Sequence, residues 1–250
     1  MIDKGQSDRA ESLDILGSFA RLKQLREVID MRWRKSVYAI IFAVAMGYLE
    51  AAVVVYLREL YYPENILNIF PFKPFSLFDL KVELFREAAT LLMLWCVAGV
   101  HEPRSVARRF MAFLALWGIW DLTYYVFLKI LIGWPQSIFD PDVLFLIPTP
   151  WVGPVVAPSM IALTMAVAGG VVMVSDIIPK LDWMFWVMLL SGGLIQLGCF
   201  IVPPLLQSGG DSMMERLPRF PWPVFVIGFV PFALALMRAV RHGSRAEEVP

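Results

Sequence analysis

Val37–Leu57 reads VYAIIFAVAMGYLEAAVVVYL, an apolar run whose one acidic or basic residue is Glu50. A helix rises about 1.5 Å per residue, so roughly 20 apolar residues cross the ~30 Å hydrocarbon of a bilayer. The run meets that length and predicts a transmembrane helix. Outward from it the same pattern returns at Leu80–Val100, Phe110–Ile132, Pro154–Ile178, Leu181–Val202 and Val224–Val240. Of the 250 residues, 58% are hydrophobic, well above the roughly 45–50% of a soluble domain. The expected fold class is therefore all-α, a polytopic helix bundle of six transmembrane spans.

Lys and Arg in the connections set the orientation. They crowd the first 35 residues, the connection holding Arg104, Arg108 and Arg109, and the C-terminal stretch from Arg238. The alternate connections hold only Lys73, Arg216 and Arg219. Both termini are expected on the cytoplasmic side. Residues 1–35 read as a cytoplasmic amphipathic helix. Asp8 and Glu11 have capping-pair spacing, and Ile15, Leu16, Phe19, Leu22, Leu25 and Ile29 recur at helical intervals. Residues 36–241 form the bundle and 242–250 a short tail. The first apolar run starts too late and is too long for a cleaved signal peptide.

Composition narrows the chemistry. Net charge is zero, so no nucleic-acid partner is expected. Cys96 and Cys199 lie in separate apolar runs, and His101 and His242 lie in connecting or terminal segments. Haem held at membrane depth and iron–sulfur centres are thus disfavoured as cofactors. A hard metal ion on carboxylates stays open.

Two connections on the outer side are unusual. Tyr61–Asp79 is rich in proline and aromatic residues and is expected to lie along the interface. Gly133–Gly153 has no Lys or Arg, an Asp140-Pro141-Asp142 turn, and an apolar run too short to span. Residues 142–158 are either a shallow cap or a re-entrant half-helix. Pro148, Pro150, Pro154 and Pro158 remove helix donors and favour the cap.

The ionisable residues inside the spans carry the functional reading. Each costs on the order of 2.5–3.5 kcal/mol at a helix centre, so something must satisfy it. Glu50 lies about 20 Å above Val37, and Glu87, descending from the other side, lies about 10 Å below Leu80. In a ~30 Å core these depths coincide. Asp121 in GIWDLTYYVFLKILIGWP (118–135) falls close to the same level, with Glu83, Arg86, Arg58 and Lys129 in the layer above. Glu83, Glu87 and Thr90 share a helix face, as do Trp117, Asp121 and Tyr125. The candidate site is Glu50, Glu83, Arg86, Glu87, Asp121 and Lys129, supported by Arg58, Tyr124 and Tyr125. Lys129 is about 80° around the helix from Asp121 and is expected to meet Glu83 or the outer connection instead. Ala162, Ala166 and Gly170, with Gly192, Gly193 and Gly198, mark small-residue faces for helix packing or a dimer contact.

YLEAAVVVYLREL (48–60), REAATLLML (86–94), GIWDLTYYVFLKILIGWPQS (118–137) and DVLFLIPTPWVGPVVAP (142–158) resemble a group of multi-pass bacterial inner-membrane proteins without an established activity. The resemblance implies that setting and no mechanism. Three readings follow. The first is a protein that binds or transports an ion or small solute at the polar cluster. The second is a non-catalytic accessory subunit, whose partners are the bilayer and a second copy or another membrane subunit. The third is a lipid-active enzyme with a carboxylate base and the Asp140/Asp142 loop as lid. It ranks last because no histidine base and no activated serine or cysteine is identifiable.

Overall fold

A computed structural model describes residues 3–67, 76–145, 151–206 and 219–245. The chain forms α1 (Asp3–Tyr61), α2 (Leu77–His101), α3 (Val106–Ile132), β1 (Pro141–Phe145), β2 (Trp151–Pro154), α4 (Val156–Val174), β3 (Ile177–Ile178), α5 (Trp183–Leu206), α6 (Trp222–Arg241) and β4 (Ser244–Arg245). Six helices are long and apolar enough to cross a membrane. Large apolar side chains are exposed along them, among them Phe85 and Val100 on α2 and Leu194 on α5. Water would not tolerate so much apolar surface, whereas lipid does. The protein is a multi-pass membrane protein with an all-α bundle.

Local chemistry explains the element ends. Ser76 caps α2 by accepting from the Asp79 amide at 3.1 Å, so this helix begins ahead of the expected Leu80. Ser105 caps α3 in the same way through the Arg108 amide at 3.3 Å. Gly133 ends α3 in the left-handed region at φ 73°, which only glycine enters freely.

Two expectations about α1 change. The amphipathic segment and the first span are one continuous helix, because no glycine or proline separates Lys23 from Ser36. The helix also starts at Asp3, ahead of the Asp8/Glu11 pair, which therefore does not mark its beginning.

Helix α3 is the hub, packed against α1, α2 and α4, while α5 and α6 pack together and join through α4. Small residues set these distances. A Cβ on Gly118 would lie 2.2 Å from the Ala162 carbonyl oxygen of α4. Ala162 and Ala166 thus face α3 as the small-residue pattern predicts. Gly170, on the same expected face, meets nothing within 4 Å, and Gly169 makes the close contact instead. Between α5 and α6, Gly192 sits against the Gly228 carbonyl, whereas Gly193 and Gly198 face open space.

Among its described residues, the connection from α3 to α4 holds a β-hairpin rather than a half-helix. β1 and β2 pair antiparallel, with Asp142 opposite Gly153 and Val143 opposite Val152. Pairing satisfies backbone groups that the prolines keep out of a helix. Prolines 148 and 150 lie outside the described residues. So do Lys73 and most of the proline-rich connection before α2.

At the opposite end of the bundle, buried Arg108 donates to both Glu102 carboxylate oxygens, at 2.9 and 2.7 Å, and to the Val172 and Ile177 carbonyls. Ser36 and His101 share a 3.0 Å hydrogen bond that ties α1 to α2. Arg32 pairs with Asp176. These contacts hold the helices together at the end where α1 extends beyond the bundle.

Candidate functional site

Towards the hairpin end, α1, α2, α3 and α4 diverge around a cavity of about 210 Å³. Helix α1 supplies Glu50, Val54, Leu57 and Arg58; α2 supplies Glu83, Arg86 and Glu87. The α3 wall is Trp117, Trp120, Asp121, Tyr124 and Tyr125, one helix face by spacing. The hairpin adds Asp142 and Trp151, α4 adds Ile161, Ala162 and Met165, and α5 adds Phe200.

Two ionic groups order this lining. The guanidinium of Arg86 donates through Nε to Glu83 Oε2 at 2.7 Å and through Nη1 to Glu50 Oε2. The first contact is an i,i+3 pair on α2, and the second crosses to α1. Arg58, 3% exposed, donates to Asp142 Oδ1 at 3.3 Å and to the Ile66 carbonyl at 3.5 Å. It also lies 4.0 Å over the Trp134 ring. A planar guanidinium suits both roles, since it can donate in its plane while stacking on an aromatic face. Burial pushes the Asp142 carboxyl up to about 6, against the opposing pull of Arg58.

Asp121 differs. It is half-buried, lines the cavity, and has no hydrogen bond or ion pair among the described residues. A buried polar atom of a neighbouring lining residue, Trp120 Nε1, also lacks a partner among the described residues. Desolvated groups left this way cost about 1–3 kcal/mol each.

The sequence-derived cluster is distributed as follows. Glu50, Glu83, Arg86, Glu87 and Asp121 all line the cavity, together with Arg58, Tyr124 and Tyr125. Lys129 does not. Its ammonium is exposed and donates to the Gly133 and Pro135 carbonyls at 3.0 and 2.7 Å, closing the C-terminal end of α3 in the outer connection. Asp140 shapes the turn by accepting from the Gln136 and Ser137 amides at 2.7 and 3.0 Å.

Asp142 and Phe200 join the cavity without having been singled out for it by sequence. The available signal for Asp142 was the second acid of the Asp140-Pro141-Asp142 turn entering an apolar run, with Arg58 a cation at the end of the first span. No comparable signal marks Phe200. No three of the described His, Cys, Asp and Glu residues converge on a common metal position.

No family model, curated protein or solved structure matches the chain.

Proposed function

We propose that this membrane protein binds a small solute in the cavity between α1, α2, α3, α4 and the β1–β2 hairpin. The observation that carries the reading is Asp121, an unpaired carboxyl group in an otherwise tightly paired ionic lining. Ionisable groups within spans are functional by default because their desolvation is so costly. The distribution of Lys and Arg supports cytoplasmic termini and a cavity in the outer half of the bilayer, and the resemblance of the span sequences supports a bacterial inner-membrane setting.

Binding, or carriage by a conformational change, fits better than conduction. Between the cavity and the Ser36–His101 contact lies an apolar layer that includes Ala43, Met46, Leu94, Ala98 and Leu116. A standing path for ions needs polar groups or water along it, and that layer provides neither. The test is thermal unfolding in mild detergent across a panel of ions and small polar solutes, with wild type and Asp121→Asn side by side. At least one solute is expected to raise the wild-type Tm by several degrees and the variant's by much less. Equal shifts in both proteins for every solute would sink the reading.

A second reading, assembly with another membrane helix, rests on Gly170 of α4 and Gly193 of α5, where an added Cβ would meet nothing within 4 Å. Such positions let a neighbouring backbone come close. Chemical crosslinking in native membranes, yielding only the monomer band, would remove it.

A further inference from the structure

We infer that the solute is a small organic cation, an ammonium group on an apolar body, with Asp121 as its counter-ion; this rests on the cavity being a binding site. Besides Glu87, four carboxyl groups of the described residues line the cavity, from Glu50, Glu83, Asp121 and Asp142, against the two guanidiniums of Arg58 and Arg86. Both guanidiniums are already engaged. Arg86 bridges Glu50 and Glu83, and Arg58 is held between Asp142 and the Trp134 ring. The acidic excess therefore lies at the cavity, and in a medium of low dielectric it calls for a positive charge.

The walls say which kind of cation. Trp117, Trp120 and Tyr124 border the same space as Asp121. Aromatic faces attract ammonium groups and also solvate the hydrocarbon attached to them. A bare metal ion would need several oxygens at a common point, and no three described metal-binding side chains converge. Volume agrees: about 210 Å³ is many times the roughly 10–15 Å³ that one water requires.

Independent of the acidic count is a buried polar atom on the aromatic wall: the lining residue Trp120 is 6% exposed, and its indole Nε1 has no hydrogen-bond partner among the described residues.

The experiment uses the full chain in lipid nanodiscs, with empty nanodiscs as reference, and reads tryptophan fluorescence and Tm. The probes are benzyltrimethylammonium, its neutral isostere neopentylbenzene, and benzenesulfonate as an anion of similar size. Benzyltrimethylammonium is expected to bind wild type at least tenfold more tightly than either of the others. Asp121→Asn is expected to weaken it at least tenfold, while Asp121→Glu retains most of the binding. Should Asp121→Asn fail to fold, the ranking of the three probes on wild type decides. Equal or tighter binding of the isostere or the anion overturns the cationic class and leaves the cavity reading standing. Unchanged binding of benzyltrimethylammonium to a folded Asp121→Asn overturns the role of Asp121. Failure of all three probes to bind wild type overturns the inference, while the broader solute panel separately decides the cavity reading.

Discussion

Arg58 and Asp142 form the most buried ion pair among the described residues, with side chains 4% and 3% exposed. Such a pair is a poor source of net stability, yet removing one member strands the other. Arg58→Ala is expected to lower stability by about 3–5 kcal/mol. The pH dependence of Asp142 has the opposite sign to that of an ordinary paired carboxylate. Burial raises its folded pKa from an ordinary 3.8 to about 6, so the folded protein binds the proton more tightly than the unfolded chain does. Its contribution is fullest below pH 4 and is lost as pH rises through 6. Two pH units at about 1.4 kcal/mol each amount to about 3 kcal/mol. Equilibrium unfolding of wild type against Asp142→Asn between pH 4 and 7 should show this loss in wild type alone, and parallel profiles would contradict it. The pair also shows where sequence reading stops. Glu83 and Arg86 are neighbours by helical spacing, and Glu50 meets them by depth; both relations follow from helix geometry. Arg58 and Asp142 are 84 positions apart and meet through a strand pair that no periodicity announced.

For the elements, the spans were legible because hydrocarbon thickness fixes their length, whereas the faces they present to one another were legible only in kind. Small residues on α4 announced close packing, but a choice between Gly169 and Gly170 is a rotation of about 100°, which composition cannot decide. The structure makes that choice testable. Gly118→Ala would place a methyl group 2.2 Å from the Ala162 carbonyl, so the backbones of α3 and α4 must separate. Overpacking of this sort costs about 1–3 kcal/mol. Gly170→Ala meets open space and replaces a poor helix former, a gain of about 0.5–1 kcal/mol. Opposite shifts in detergent unfolding are therefore expected, and two shifts of the same sign would contradict the close α3–α4 contact at Gly118. The α1 boundary failed for a different reason. Amphipathic and fully apolar segments share one helical period, and only a breaking residue would have divided them.

The whole molecule is layered. The hairpin end holds the cavity with its acidic excess, the middle is apolar, and the other end is clasped by Arg108 on Glu102. Burial raises the Glu102 carboxyl, but hydrogen bonds from His101 and Arg108 and the charge of Arg108 outweigh it and bring it down to about 2. That clasp holds at neutral pH and is lost only as pH falls from about 4.5 towards 2. The two ends therefore respond to pH in opposite directions, and which compartment each one faces becomes a physical question. If the excess of Lys and Arg marks the cytoplasm, Ser137 in the turn before β1 and Ser244 beyond α6 lie on opposite sides. Both are exposed. With Cys96 and Cys199 replaced by alanine, Ser137→Cys should react with a membrane-impermeant maleimide in intact cells. Ser244→Cys should react only after permeabilisation. The reverse pattern would turn the cavity towards the cytoplasm. The solute would then have to enter from that side, because the apolar layer of Ala43, Leu94 and Leu116 closes the route from the other.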